Sequence, residues 1–568
     1  MRPHSKWTRS APAGWRSGLG VWLLAGVLSW LTAAPRQPLV PQWGKLELSF
    51  TSSKVYTNPV QEAALMAILV SPKGERMRVP GFWDGGRTWR VRFMPRIPGV
   101  WTWQTECTDT ANRGLHGVAG GFVCTAARSG VGNRFSQHGP IRVSPDGRYL
   151  VHDDMTPFFW LADTAWNGPL KATDAEWAYY LQTRAQQKFT AVQWMTTQWR
   201  AAPDGNREGE LAYTGRERIA INPGFFQKLD RRVEAMNKAG LLSVPVLLWA
   251  IQGGSNPQIN PGVSLPEDQA VLLARYMVAR WQADAVVWIL NGDGDYRGEK
   301  AARWQRIGRQ VFGDIAHAPV TCHPGGRIWV RQEFIQEPWY DIVGYQSGHN
   351  DRDDNLRWIT SGPAAQEWRL PPFKPFISLE APYENHGGGA AGAMSADVVR
   401  RAHYWSLLNA PTAGITYGGH GIWGWDDGTR PPVDHPNSGT PLPWREALRM
   451  PGAQQMTVLA DFFQSIDFWR LRPAPEILAV QPGLTAARRF IAAARSERND
   501  LLLIYIPEDR IVELQLSALT GMRGSPVLTW VNPRNGERRA AVAVLGATTC
   551  QVPTPEPGDW LLLVTTQP

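Results

Sequence analysis

The sequence predicts an α/β protein built on a (β/α)8 TIM barrel, with one β-sandwich before it and another after it. Three observations carry that prediction. From Tyr149 to Phe468, short apolar runs alternate with amphipathic helical stretches eight times, the number of units a closed barrel needs. Those runs are almost continuously apolar, as parallel strands covered on both faces must be. On either side the pattern changes to alternating runs separated by Gly and Pro turns, which reads as antiparallel β structure.

The chain opens with Arg2, Lys6, Arg9 and Arg16, carries no charge from Gly18 to Ala34, and has its first acidic residue at Glu47. A basic start before an apolar run is an export signal or a membrane anchor, so residues 1–36 are assigned that role and a periplasmic or extracellular protein is expected. Residues 43–126 read as a small β-sandwich, with strands at Leu46–Phe50, Ala64–Val70, Trp89–Phe93 and Val100–Gln104 and turns at Pro72-Lys-Gly74, Asp84-Gly-Gly86 and Pro98-Gly99. Cys107 and Cys124 fall in this domain around a Gly-rich turn region. In an exported protein they are expected to form a disulfide.

Residues 142–470 read as the barrel. Its strands are placed at Phe158–Ala162, Phe189–Trp194, Leu242–Trp249, Val286–Leu290, Pro319–His323, Asp341–Gln346, Pro375–Glu380 and Gly414–Tyr417. Helix starts are marked by the capping box Thr173-Asp-Ala-Glu176 and by Asn222-Pro223, a cap followed by a first-turn proline. Residues 474–568 return to strands at Leu501–Ile506, Ile511–Leu516, Val527–Val531 and Trp560–Val564. The 59 Lys+Arg against 50 Asp+Glu leave a net charge of +9 that is scattered along the chain, which argues against a nucleic-acid surface. The four cysteines include no CxxC pair, which argues against a thiolate metal site or a redox dithiol.

Catalytic groups in such a barrel sit at the C-terminal ends of its strands. Those ends carry Asp163, Gln193, Trp249, Asn291 with Asp293, His323, Gln346, Glu380 and His420. The fourth strand breaks into Asn291-Gly-Asp-Gly-Asp295, where two glycines permit a tight turn and present an amide and two carboxylates. Asp293 and Glu380 thus stand on strands four and seven, across the pocket from one another. Cleavage of a glycosidic bond needs two such groups, one protonated to donate to the leaving oxygen and one ionised to attack or to activate water. Trp166, Trp194, Trp249 and Trp423 are among 29 tryptophans, and wide rings at a barrel mouth suit sugar faces, although a single Trp is more often core. His323, His349, His386 and His420 raise a metal-dependent barrel hydrolase as an alternative. No HxH pair follows the first strand, however, so no metal or other cofactor is expected. A non-catalytic carbohydrate-binding or surface adhesion protein on the same domains is a further alternative.

Several motifs occur together and in order: Gly147-Arg-Tyr-Leu150, Pro157-Phe-Phe-Trp-Leu-Ala-Asp-Thr-Ala-Trp166, Val286-Val-Trp-Ile-Leu-Asn-Gly-Asp293, Thr321-Cys-His-Pro-Gly-Gly326 and Leu379-Glu-Ala-Pro-Tyr-Glu384. Over residues 140–465 the chain resembles the apiosidase-like glycoside hydrolases, bacterial polysaccharide-degrading (β/α)8 enzymes. Upstream, Tyr56-Thr-Asn-Pro59, Pro80-Gly-Phe-Trp-Asp-Gly-Gly86 and Arg92-Phe-Met-Pro95 resemble the Ig-like domain that often precedes that barrel. The tail is similar to the β domain labelled collagen-binding in related proteins. The resemblance implies a retaining enzyme with Asp293 as acid/base and Glu380 as nucleophile, acting on a plant or microbial polysaccharide, with apiose in a pectin side chain as the nearest precedent. The expected substrate-binding set is Asp163, Trp166, Gln193, Trp194, Trp249, Asn291, His323, Gln346, Tyr383, Glu384, His420 and Trp423. The common family form has glycine where Asn291 stands, and here Asn291 is expected to meet a sugar hydroxyl.

Overall fold

The structure is a computed structural model that describes residues 37–128, 130–254, 256–389 and 392–567; the expected export signal or anchor at 1–36 lies outside the described residues. At its centre eight parallel strands form a barrel: Trp160–Thr164, Ala191–Met195, Leu242–Trp249, Trp288–Gly292, Val320–His323, Val343–Gln346, Phe376–Glu380 and Gly414–Tyr417. Strand one pairs with both two and eight, and the sheet runs outward from there to strands five and six. A parallel bridge between Thr321 and Ile342 joins those two ends and closes the barrel. Every residue of the eight strands is buried, which explains why their sequence is apolar at consecutive rather than alternate positions.

The helix signals are realised as local chemistry. Thr173 accepts from the amide of Glu176, whose carboxylate takes the Thr173 amide in return, and this starts the helix Asp174–Gln186. Asn222 caps Pro223–Lys238 through the Phe225 amide.

The N-terminal domain is a seven-stranded sheet folded on itself. Its strand Arg76–Trp83 pairs with Leu65–Val70 over its first part and with Thr88–Phe93 over its last. The expected Cys107–Cys124 disulfide is not formed, and both thiols are buried and free. In the hairpin that carries them, Gly99 faces Cys124, and Cys107 lies eight positions further along the same strand. That separation is about 26 Å at roughly 3.3 Å per residue, whereas a disulfide needs Cα atoms within about 7 Å. Sharing a domain does not bring two cysteines to the same end of a hairpin.

Both flanking domains are welded to the barrel. In the C-terminal domain, Leu501, Leu503 and Tyr505 of strand Leu501–Ile506 join the barrel core, while Leu502, Ile504 and Ile506 fill the domain's own core. One strand therefore serves two cores through its period of two. On the N-terminal side the joint is ionic. Asp230, on the helix Pro223–Lys238, accepts from Arg92 of the β domain at 2.9 Å, from Arg280 at 2.6 Å and from the Trp281 indole at 2.8 Å. Arg280 also reaches Asp84 of the β domain at 2.9 Å. Burial alone would raise the Asp230 carboxyl, but the two guanidiniums outweigh it and hold the group below the usual carboxylate range.

Replacing Asp230 with Ala leaves two buried guanidiniums without their shared anion. The expected cost is about 3–5 kcal/mol of stability, read by urea unfolding followed through tryptophan fluorescence. A loss below about 1 kcal/mol, the range of an exposed pair, would contradict this account of the joint.

Candidate active site

A cavity of about 640 Å³ opens among the loops that follow the barrel strands, within the range typical of ligand pockets. Two irregularities in the barrel place its chemistry. Between strands four and five the register shifts between Ile289 and Gly292, which sets His323 opposite Gly292. Between strands six and seven it shifts between Tyr345 and Gln346, which sets Gln346 opposite Glu380. Bulges of this kind re-aim side chains at the rim of a barrel.

Asp293 follows directly after strand four with φ at 39°, in the left-handed region that costs a non-glycine residue free energy. The preceding Gly292 is required, because a Cβ there would meet the Trp249 ring at 2.2 Å. This turn takes Asp293 out of the strand's alternation and into the cavity wall. The side-chain amide of Gln346 donates to Asp293 Oδ1 at 2.9 Å and to the Pro324 carbonyl at 2.8 Å, fixing the carboxyl. Burial and the nearby charge of Glu380 push the Asp293 carboxyl up, against the smaller opposing effects of His323, Arg200 and His349.

Glu380 closes strand seven. His349 Nε2 lies 2.7 Å from its Oε1 and His323 Nε2 lies 3.0 Å from its Oε2. The Tyr383 hydroxyl also bonds to it, and that hydroxyl accepts in turn from the Trp166 indole at 3.1 Å. Burial would raise the Glu380 carboxyl, but the contacts from His323 and His349 outweigh burial and hold it far below the usual range. One carboxyl is thus pushed up and its neighbour down in the same cavity. Such a divergence separates an acid from a base or nucleophile.

Of the residues expected to bind substrate, Trp166, Trp249, Gln346, Tyr383 and Trp423 line this cavity. His323 stands behind Glu380, wholly buried, with its ring edge-on to Trp166. The other six are placed elsewhere. Asp163 is locked in the frame by Arg184 and Tyr180, each at 2.7 Å. Gln193 donates to the Leu379 carbonyl and accepts from Thr416 inside the barrel. Trp194 bonds Ser243 and packs on Trp281 of the helix Glu267–Trp281. Asn291 is wholly buried beside Cys322, one position out of step with His323. Glu384 accepts from the Tyr417 hydroxyl and the Gly452 amide, and it ties down the loop after strand eight. His420 is held between the Asn385 carbonyl and Ser438. Alternate residues of a strand face opposite sides, so nearness to a strand's end does not settle which residue meets the cavity. The cavity wall also includes Trp199, Arg200, His386 and His435, which sit on loops beyond the strand ends. Extending the strand-end rule about one further turn of chain past strand two would have reached Trp199 and Arg200.

Residues 144–470, more than half of the chain, match the model of the apiosidase-like catalytic domain. The chain belongs to the apiosidase-like family. Residues 39–108 of this family member match a domain of unknown function, DUF5060. The chain is similar to a solved glycoside hydrolase at 24% identity and a TM-score of 0.65, covering 77% of this chain and 98% of that one. A family 5 glycoside hydrolase from Bacteroides vulgatus aligns at 22% identity and a TM-score of 0.65, over 77% of this chain and 94% of its own. A candidate glycoside hydrolase from the same species aligns at 17% identity and a TM-score of 0.70, over 93% of this chain and 100% of its own. At such identities the likeness is one of fold. No curated protein matches the chain. Membership of the apiosidase-like family makes the protein a glycoside hydrolase, and that implies a carbohydrate substrate.

His349→Ala should raise the Glu380 carboxyl by removing its 2.7 Å partner. If turnover uses the ionised Glu380, the acidic limb of kcat/KM on an aryl glycoside should move to higher pH. The expected shift is about one unit, equivalent to one hydrogen bond to a charged group. An acidic limb at the wild-type position would contradict the assignment of His349.

Proposed function

We propose that this apiosidase-like enzyme is an exported retaining glycoside hydrolase of a plant or microbial polysaccharide, with Asp293 as acid/base and Glu380 as nucleophile. The observation that carries this reading is the placement of Asp293 and Glu380 in the wall of one aromatic-lined cavity, with the first carboxyl pushed up by burial and the charge of Glu380 and the second held down by His323 and His349. In the first step Glu380 attacks the anomeric carbon while Asp293 gives its proton to the departing glycosidic oxygen, which leaves a glycosyl-enzyme and an ionised Asp293. In the second step Asp293 takes a proton from water, the water oxygen attacks the same carbon, and Glu380 departs as the carboxylate. The rings of Trp166, Trp199, Trp249 and Trp423 supply faces for sugar stacking. Apiose-bearing pectic glycans are the first substrates to try, on the family's precedent. Export is supported by the basic start and uncharged run before Pro35.

Screening the purified enzyme on pectic and other glycans, with paired variants, tests this function. Glu380→Gln should lose turnover on every substrate, because no covalent intermediate forms without the nucleophile. Asp293→Asn should fall by about 10²–10⁴-fold on polysaccharide, whose leaving group needs a proton. On an aryl glycoside with a good leaving group it should accumulate glycosyl-enzyme, and azide should restore turnover. Full activity of Asp293→Asn on the polysaccharide would refute the assignment and turn attention to Asp295. Intact-mass measurement of the enzyme recovered from cell fractions tests export, and an unprocessed chain confined to the cytosol would contradict it.

A further inference from the structure

The loop after strand eight carries Asp434, whose carboxylate is wholly buried and forms an ion pair with Arg200, its Oδ2 lying 2.7 Å from Nε. Arg200 comes from a different loop, the one after strand two. Its backbone amide donates to Asn260 Oδ1 at 3.1 Å and its Nη1 to the Gly253 carbonyl at 3.1 Å. With those three points fixed, Nη2 stops 3.8 Å from Asp293 Oδ2, beyond hydrogen-bonding range. A guanidinium free to move beside a carboxylate closes to about 2.7–2.9 Å, often through two parallel bonds. Here the nearer partner is Asp434, at 2.7 Å.

The separation matters for a group that must hold a proton in one step and lose it in the next. An Arg in direct contact would strip that proton by favouring the carboxylate. An absent Arg would leave the carboxylate unsupported after it had protonated the leaving group. We propose that Asp434 is a positioning residue for the acid/base, holding the Arg200 guanidinium at 3.8 Å so that Asp293 keeps its proton for the leaving oxygen and still meets a positive charge once ionised. This rests on the reading of Asp293 as acid/base. The long loop after strand eight then belongs to the catalytic apparatus although it carries no group that touches the reacting atoms.

The other charged or titratable groups around Asp293 come from every side of the cavity. Glu380 stands on strand seven, His323 on strand five, and His349 on the loop after strand six. On its own loop, Asp295 is paired with Arg297 at 2.9 Å and Tyr296 lies close by. His435 Nδ1 lies 3.2 Å from Asp434 Oδ2, the oxygen nearest Arg200. Asp434 thus holds both Arg200 and His435, and a change at Arg200 itself separates the Arg200 arm from any change at His435.

The test reads the Asp293 proton directly. Full-length enzyme carrying ¹³C at the aspartate γ-carbon is titrated by NMR, and the Asp293 signal is identified by its loss in Asp293→Asn. Asp434→Asn should move the Asp293 midpoint down by about one unit, because an anion is lost and the guanidinium is released towards Asp293. Arg200→Gln should move it up, and Asp434→Glu should restore the wild-type position. On an aryl glycoside the alkaline limb of kcat/KM should follow the same order, with KM little changed. An Asp293 midpoint that stays put or rises in Asp434→Asn overturns the proposal, and Arg200→Gln gives an independent reading of opposite sign if Asp434→Asn folds poorly. Midpoints that move as expected while the alkaline limb does not would leave the charge arrangement standing and overturn the reading of Asp293 as acid/base.

Discussion

The site is organised around one interaction, the support of a buried Glu380 carboxylate where there is little water to stabilise it. Two imidazole nitrogens at 2.7 and 3.0 Å and the Tyr383 hydroxyl replace that water. They come from strand five, the loop after strand six, and the segment after strand seven, so the charge is stable only if these parts of the barrel meet at one level. The register shifts after Ile289 and Tyr345 bring them to that level. Once the negative charge is fixed on Glu380, a second carboxyl beside it holds its proton more tightly, and the opposite behaviour of Asp293 follows from the same arrangement. The turn at Asp293 and the Gln346 amide fix where the second carboxyl stands.

The rest of the molecule is organised to keep that level from drifting. A barrel built of strands that are buried throughout has no exposed edge to fray, and here its outer surface is clamped from both ends of the chain. The C-terminal domain lends alternate residues of Leu501–Ile506 to the barrel core. The N-terminal domain reaches in with Arg92, and Phe82 lies under the guanidiniums of both Arg92 and Arg280. The flanks thus act as parts of the barrel's own packing, whatever else they bind.

Much of this was legible in the sequence because the signals were local. A buried parallel strand followed by an abrupt Gly-Asp turn is readable without any partner, and so strand order gave the barrel and put Asp293 and Glu380 at its cavity. Asn291 and Trp194 were misplaced because strand ends were read without the alternation that turns every second residue outward. The Cys107–Cys124 bridge failed for a related reason: the domain was identified, but the hairpin register that separates the two thiols was not. Arg200, Asp434 and His435 carry no pattern of their own. They lie on loops whose course is set by tertiary contacts such as Asn260 to the Arg200 amide and Glu384 to the Gly452 amide. Only the folded chain brings them to Asp293.

The central claim is that Glu380 forms a covalent bond to the sugar, and trapping that bond tests it most directly. The enzyme would be treated with a 2-deoxy-2-fluoro glycoside bearing a good leaving group, built on whichever sugar it hydrolyses, then digested and mapped by mass spectrometry. The expected result is a single glycosyl adduct on the peptide that carries Glu380. An adduct at Asp293, Asp295 or Glu384, or no adduct together with product of inverted configuration, would contradict the account.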